Sequence, residues 1–299
     1  MVSVMGASAV STLFTGHSKL RPLVLAAAFF TGALRAAAPP HDYALSPEAS
    51  GDYRVSASFV NFNRDPLTIV FALAQNAIRQ SMTEFGYSEP EATALGMSCD
   101  GPCTQTDYDR RLQQYYRDQA LMATVSAESG RTRVEVDVPA VVQRNRPRLR
   151  ALAGQFDRLA QAQGYGPEET VGAMVAFVQT ALPYARPPEQ EGGRDILGFY
   201  PPPRALEAGF GDCDTKSALL AAILTNFPGM KMIGVHIPKH YLVGIARVPR
   251  QGDAFIEYGG EPFVLIEPSG PGWLPPGTIG ATTQTKLNTM AGVRIDPLF

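Results

Sequence analysis

The sequence contains few of the side chains that usually carry chemistry or bind metals. Its 299 residues include three cysteines, four histidines and one tryptophan, and only 18% are charged. Three cysteines are too few for a disulfide-dense miniprotein, and 45% hydrophobic residues argue against a disordered chain. A formal net charge of −2 argues against non-specific binding to nucleic acid. Thiol or imidazole chemistry therefore has few candidate positions.

The N-terminus has the features of an export signal. Residues 1–38 carry Lys19, Arg21 and Arg35 but no acidic residue, and an apolar run covers residues 22–34. This run has the length of a signal-peptide core and is shorter than the roughly 20 residues of a transmembrane helix. We expect cleavage of residues 1–38, which predicts an exported protein, either periplasmic or secreted. An uncleaved segment would instead anchor the chain and is the only expected source of membrane contact.

Two of the cysteines lie close together in the sequence Ser-Cys-Asp-Gly-Pro-Cys. Because Asp-Gly-Pro favours a turn and export favours oxidation, we expect a disulfide between Cys99 and Cys103. Two free thiols are the alternative, and a zinc site is disfavoured because no nearby histidine supplies the missing ligands. Cys213 is then unpaired, which makes it a candidate reactive thiol.

The spacing of apolar residues predicts the order of the elements. Helical spacing predicts helices over residues 65–85, 107–122, 144–164, 167–182 and 213–224. Alternating or short apolar runs predict strands over residues 53–62, 132–138, 231–237, 241–248 and 262–266. This order indicates an α+β fold with an antiparallel sheet. We expect a mixed, mostly helical region at residues 39–164 and a second domain at residues 165–299.

Cys213 is predicted to begin a helix directly after a turn at Gly211. Asp212 precedes it and is a suitable N-cap. The free N–H groups of a first helical turn and the helix dipole favour negative charge, and the thiolate is the nucleophilic form of cysteine. We therefore predict a lowered pKa for Cys213. Ser217 and Ala221 are small and lie on the same helix face, which would allow a sheet to approach closely.

A general base for this thiol must be a histidine, and His236 and His240 lie in the region of predicted strands. We favour His240, which starts an apolar run and can face the helix N-terminus from a strand end. His236 is the alternative, and either residue can have a purely structural role. A third group is needed to hold the imidazole in one tautomer. We favour Glu267, at the end of an apolar strand, over Glu257 and Glu261, which flank a Gly-Gly turn.

Residues 211–224 resemble the nucleophile motif of the transglutaminase-like superfamily, most closely its bacterial transglutaminase-like cysteine proteinase branch. Other family segments are similar to residues 177–184, 200–206, 240–245 and Glu267-Pro-Ser. The resemblance covers roughly residues 165–285. It implies a papain-like α+β core, with the nucleophile helix packed on an antiparallel sheet, and a triad of Cys213, His240 and Glu267. Glutamate at 267 departs from the aspartate that is commoner in the family.

Acyl transfer also requires hydrogen-bond donors for the oxyanion that develops on the carbonyl oxygen. The backbone N–H of Cys213 is one candidate. In the superfamily an upstream aromatic side chain often assists, and the resemblance offers this role to Tyr200. A packing role for Tyr200 is the alternative.

These residues predict a thiol-dependent acyl-transfer enzyme that acts on amide bonds of peptides or proteins. Water as the second substrate gives a cysteine hydrolase or peptidase, which we favour, whereas an amine gives a cross-linking transamidase. A non-catalytic binding or scaffold module that keeps the fold is the competing hypothesis. The sequence implies no metal or organic cofactor.

Overall fold

The computed structural model describes residues 3–5, 41–97, 104–125, 132–270, 272–289 and 292–299. It combines helices with antiparallel sheets, which confirms the predicted α+β class. The strands are β1 (Ser3–Met5), β2 (Asp42–Pro47), β3 (Tyr53–Val60), β4 (Pro66–Leu73), β5 (Leu121–Val125), β6 (Thr132–Val136), β7 (Gln190–Glu191), β8 (Arg194–Asp195), β9 (Met232–Ile237), β10 (His240–Ala246), β11 (Phe255–Tyr258), β12 (Glu261–Ile266) and β13 (Arg294–Pro297). The helices are α1 (Gln75–Thr83), α2 (Glu89–Met97), α3 (Gln105–Asp118), α4 (Val138–Asn145), α5 (Arg150–Gln163), α6 (Pro167–Ala176), α7 (Pro202–Ala208), α8 (Cys213–Leu224) and α9 (Ala281–Thr289).

A six-stranded antiparallel sheet dominates the second half of the chain. Its strand order is β1-β11-β12-β10-β9-β13, and His240 lies opposite Ile237 where β9 turns into β10. Successive side chains of a strand point to opposite faces. Val243 accordingly belongs to the large core that contains α8, whereas Leu242 belongs to a second cluster with Leu287 of α9. The sheet therefore has a helix-covered core on each face.

The N-terminal region adds a three-stranded sheet, in the order β2-β3-β4, and a β5–β6 hairpin to its helices. One hydrophobic cluster runs from this region into the residues after 165. The ring centroid of Phe177 lies 5.7 Å from that of Phe59 and 5.6 Å from that of Phe156. Core contacts thus cross the predicted boundary between residues 164 and 165. The division into two domains stays a prediction.

The predicted helix over residues 65–85 is wrong in its first half. Residues 66–73 form strand β4, and helix α1 begins only at Gln75. Leu67, Ile69 and Phe71 are buried and alternate with more exposed residues, which is the period of a strand. Ile69 and Leu73 also fit helical spacing, so pairing with β3 over the whole length of β4 determines the result.

Other predicted helices are interrupted where the chain changes direction. The helix predicted over residues 107–122 ends at Asp118, and Leu121 begins β5. Residues 144–164 are divided by a short 3-10 turn that starts at Pro147, which lacks an N–H donor. Helix α6 ends at Ala176 and continues as one π-helical turn, Phe177–Ala181.

Two predictions concern residues outside the described ones. Of the predicted export segment at residues 1–38, the structure describes residues 3–5, whose backbone forms β1 and pairs with β11. Cys99 and Cys103 also lie outside the described residues. In the described parts of the chain, no helix has the length and hydrophobicity required to span a bilayer.

Helix α8 is almost completely buried and includes a lysine. Lys216 is 0% exposed, and its Nζ donates to the main-chain oxygens of Gln179 at 3.1 Å and Leu182 at 2.8 Å. These partners are neutral carbonyls, which satisfy two of the N–H donors but do not neutralise the charge. Burial therefore lowers the pKa of Lys216 to about 7.

We expect Lys216 to make stability depend on pH. Between its folded pKa of about 7 and its ordinary pKa of 10.5, the unfolded chain binds a proton that the folded protein does not. The free energy of unfolding should therefore rise by up to about 1.4 kcal/mol per pH unit in this window, and the full cost of the buried charge is present below it. Lys216→Met should remove this rise in urea unfolding measured across the same window. Lys231→Met is the control on an exposed lysine, and equal slopes for wild type and Lys216→Met would contradict the assignment.

Candidate active site

A capped turn starts helix α8 at Cys213. The Asp212 carboxylate accepts a hydrogen bond from the Thr215 backbone N–H at 3.2 Å, which confirms the predicted N-cap. A Cβ atom at Gly211 would lie 2.6 Å from Cγ2 of Thr215, so the turn requires glycine. Cys213 is a free, partly buried cysteine. The turn therefore presents a single thiol at the helix N-terminus.

A tight hairpin positions His240 at the beginning of β10. Ile237 pairs with His240, which leaves Pro238 and Lys239 as a two-residue turn. Lys239 has a φ of 61°, in the left-handed region that residues other than glycine rarely adopt. The hairpin therefore fixes the position from which the His240 side chain projects.

The start of β10 lies against the first turns of α8. Ser217 Oγ donates to the main-chain oxygen of Tyr241 at 3.2 Å, so the small residue at 217 allows the predicted close approach of the sheet. The backbone N–H of Tyr241 lies close enough to the thiol of Cys213 to favour a lower pKa of that thiol. Because Tyr241 directly follows His240, the nucleophile helix and the histidine strand meet at this point.

His240 and Glu267 are brought together in a mostly buried pair. Nε2 of His240 lies 2.9 Å from Oε1 of Glu267, and their side chains are 14% and 11% exposed. The oxygen lies off the direction of the ring N–H, so the contact is close but is not a well-aligned hydrogen bond. Since Nε2 faces the carboxylate, Nδ1 is the ring nitrogen that remains for another partner.

Two further donors hold the Glu267 carboxylate. The backbone N–H of Gly280 donates to Oε2 at 2.7 Å, and Thr283 Oγ1 donates to Oε1 at 3.0 Å. Burial by itself raises the pKa of Glu267, but the contacts with His240, Gly280 and Thr283 outweigh it and lower that pKa. The carboxylate is therefore ionised at neutral pH and oriented from three sides.

The surroundings of the thiol contradict the predicted lowering of its pKa. The thiol of Cys213 donates to Oδ1 of Asp214 at 3.0 Å. Burial is the main cause that raises the pKa of Cys213; Asp214 and then Asp212 add to it, and the Tyr241 N–H offsets only part of the rise. The helix N-terminus alone therefore does not generate a thiolate. In this conformation the thiol is hydrogen-bonded to Asp214 rather than to His240.

The backbone of Tyr200 contacts the first turn of α8, whereas its hydroxyl is bound to Glu191. Its backbone N–H donates to Oγ1 of Thr215 at 3.2 Å, and its hydroxyl donates to Oε2 of Glu191 at 2.7 Å. The guanidinium of Arg204 lies 4.5 Å from the ring centroid. Burial, followed by the hydrogen bond to Glu191, raises the pKa of Tyr200 to about 12. An oxyanion role for Tyr200 would require its hydroxyl to leave Glu191.

The alternative residues from the sequence have other contacts. His236 lies opposite Tyr241 in β9, and the centroids of the two rings are 6.3 Å apart. Glu261 is bound by Lys231 at 2.8 Å. The structure therefore brings His240 and Glu267 together, and their assigned roles stay predictions.

Sequence reasoning missed two side chains that surround the thiol. Asp214 accepts a hydrogen bond from the thiol, and Tyr184 is a half-exposed aromatic residue. Burial is the main cause that raises the pKa of Tyr184, and the negative charges of Asp212 and Asp214 add to it. The backbone of Tyr184 forms a bridge with Gly211. The Asp-Cys-Asp sequence was the available signal for the acidic surroundings.

A cavity of about 720 Å³ lies apart from these residues. It is lined by the β3–β4 turn, the start of α6 and the far end of β10, where Arg247 pairs with Asp253 and Arg250 with Glu168. Cys213, His240 and Glu267 do not line it. Among the described residues, no group of three or more histidine, cysteine, aspartate or glutamate side chains is arranged to hold a metal ion.

We expect Asp214→Asn to make Cys213 more reactive. The substitution removes a negative charge that raises the pKa of the thiol but keeps the size of the side chain. The rate of iodoacetamide labelling of Cys213, measured from about pH 6 to pH 10, should rise at a lower pH in this variant. Asp157→Asn, on an exposed face of α5, is the matched control. An unchanged profile for Asp214→Asn would show that the carboxylate does not restrain the thiol.

Comparison of the chain with protein-family models, with curated proteins and with solved structures gave no match in any of the three. The resemblance of its motifs to the transglutaminase-like superfamily therefore stays a prediction.

Proposed function

We propose that the protein is a thiol-dependent acyl-transfer enzyme with a transglutaminase-like, papain-like core. One observation carries the proposal. His240, which faces Glu267 in a buried pair, begins strand β10, and the backbone N–H of the next residue, Tyr241, contacts the thiol of Cys213. A cysteine, an imidazole and a carboxylate that orients the imidazole form the minimal set for nucleophilic acyl transfer. The close packing of α8 on β10 supports such a core.

In the proposed reaction, His240 generates the nucleophile by taking the thiol proton at Nδ1 while Glu267 stabilises the proton on Nε2. The raised pKa of Cys213 makes this transfer necessary, because the resting thiol is protonated. The thiol must first turn from Asp214 toward the imidazole. Substrate binding that displaces or neutralises Asp214 would favour this movement.

The sulfur then attacks the carbonyl carbon of an amide, and the carbonyl π bond opens to give a tetrahedral oxyanion. The backbone N–H of Cys213, at the N-terminus of α8, is the proposed donor to this oxygen. Collapse of the intermediate breaks the C–N bond, and the imidazolium of His240 gives its proton to the departing amine. The product on the enzyme is an S-acyl thioester at Cys213.

The second substrate decides between hydrolysis and transamidation. Water, deprotonated by His240, releases a carboxylic acid and restores the thiol, whereas an amine forms a new amide. We favour hydrolysis of peptide or protein amides, outside the cytoplasm if the predicted export signal operates. No metal or organic cofactor takes part in the proposed steps.

We expect amide cleavage to depend on the three residues of the triad. New N-termini in a mixture of peptides, quantified by mass spectrometry, should appear with wild type and be absent with Cys213→Ala. His240→Ala should lower the rate by about 100- to 10,000-fold, since it removes the general base. Glu267→Gln should lower the rate as well, because a neutral amide does not stabilise the imidazolium.

His236→Ala and Glu261→Gln are the matched controls, because they alter the same residue types outside the triad. Both should retain activity. Cys213-dependent incorporation of a fluorescent amine into casein without peptide release would favour the transamidase. Loss of activity in His236→Ala but not in His240→Ala would overturn the assignment of the base. Absence of both cleavage and amine incorporation in the folded wild type would favour the non-catalytic binding module.

A further inference from the structure

A chain of buried hydrogen bonds joins helix α8 to the main chain at Glu267. Nζ of Lys216, one turn after Cys213, donates to the main-chain oxygen of Gln179 at 3.1 Å. The side chain of Gln179 in turn donates from Nε2 to the main-chain oxygen of Glu267 at 2.8 Å. The nucleophile helix and the acid of the candidate site are thus connected through two side chains.

The amide of Gln179 also fixes the loop that follows Glu267. Nε2 donates a second hydrogen bond to the oxygen of Leu274 at 2.8 Å, and Oε1 accepts one from the Leu274 N–H at 3.0 Å. Both N–H donors of the amide nitrogen and one acceptor position of the oxygen are therefore used. An amide bound at both ends in this way has one orientation, since rotation would leave buried polar groups unpaired.

Lys216 binds main-chain oxygens at the end of the π-helical turn. A π turn follows the end of α6, and the last main-chain oxygens of a helical segment lack partners within it. Lys216 donates to two such oxygens, those of Gln179 and Leu182. It thereby fixes the backbone from which the Gln179 side chain extends.

The packing around these hydrogen-bonded residues leaves little space for them to move. Lys216 is 0% exposed, Gln179 is 4% exposed and Glu267 is 9% exposed. A Cβ atom at Gly270 would lie 3.1 Å from the Gln179 main-chain oxygen and 3.9 Å from Nζ of Lys216. The polypeptide segment after Glu267 therefore lies close to both Gln179 and Lys216.

We propose that Gln179 and Lys216 are positioning residues that hold the main chain at Glu267 so that its carboxylate stays opposite Nε2 of His240. The inference rests on the proposed function, because it concerns how the orienting acid is itself oriented. Gln179 and Lys216 touch neither the substrate nor the reacting atoms in the proposed mechanism. They act through the backbone of Glu267, and hence through the tautomer of His240.

The tautomer of His240 gives a readout that a purely structural role would not alter. The nitrogen that carries the proton is set by the partner of each ring nitrogen, so a carboxylate opposite Nε2 favours the Nε2–H form. The full chain has four histidines, so selective ¹⁵N-histidine labelling gives few signals, and His240→Gln assigns the relevant one. Long-range ¹H–¹⁵N spectra distinguish the two neutral tautomers.

We expect the Nε2–H form in the wild-type protein and a mixture of tautomers in Gln179→Leu and in Lys216→Met. The rate of Cys213-dependent amide cleavage should fall by on the order of 100-fold, as expected for a displacement of about 1 Å at a catalytic group. Thr225→Val is the matched control, because it removes a buried hydroxyl hydrogen bond at the other end of α8. It should lower the thermal midpoint without changing the tautomer.

One wild-type measurement is independent of whether the variants fold. The side-chain amide protons of Gln179 should exchange with solvent much more slowly than those of Gln161, which lies on an exposed face of α5. Equal exchange rates would overturn the proposal. Folded Gln179→Leu and Lys216→Met proteins that keep the wild-type tautomer would overturn it as well.

The same data separate this inference from the proposed function. A tautomer that depends on Gln179 in a protein whose Cys213 forms no acyl intermediate supports the positioning role and contradicts the enzyme. Cys213-dependent cleavage with a tautomer that is insensitive to Gln179 and Lys216 supports the enzyme and contradicts the positioning role.

Discussion

The contact between His240 and Glu267 is the interaction on which the candidate site depends. A mostly buried carboxylate is costly unless charged or hydrogen-bonded partners surround it, and Glu267 has the imidazole, one backbone N–H and one hydroxyl. The carboxylate faces Nε2 of the ring, so Nδ1 is the nitrogen that the proposed mechanism assigns to the thiol. The strand hairpin, the loop after Glu267 and helix α9 all serve to keep this pair in place.

The thiol is restrained in the same structure that orients the base. A cysteine at a helix N-terminus usually gains acidity, but here burial and two flanking aspartates raise the pKa of Cys213. A neutral resting thiol is less prone to oxidation and alkylation than a thiolate. Under the proposed function, catalysis would begin only when His240 accepts the proton, which couples activation to the arrangement of the whole site.

Local patterns predicted much of the site from the sequence. The cap at Asp212, the helix from Cys213 and the strand from His240 depend on neighbouring residues, and the structure contains all three. The apolar residues of strand β4 fit the period of a helix as well as that of a strand, so the sequence predicts a helix there. Pairing with β3 determines that the segment is a strand.

The partners of Lys216 were beyond prediction for a different reason. They are main-chain oxygens at Gln179 and Leu182, more than 30 residues away in the chain, at the end of the π turn that follows α6. The raised pKa of Cys213 was missed for a similar reason, since burial depends on the sheet and loops that pack around the helix. Tertiary contacts therefore determine the partners of Lys216 and the pKa of Cys213, and charge and spacing along the sequence do not predict such contacts.

Acylation of the protein by an activated ester such as p-nitrophenyl acetate tests the central claim most directly. We predict that intact-mass spectra gain one acetyl group, that peptide mapping places it on Cys213 as a thioester cleaved by neutral hydroxylamine, and that His240→Ala forms it far more slowly. Folded wild-type protein that remains unacylated at Cys213, or that is acylated there equally fast without the imidazole, would contradict the account.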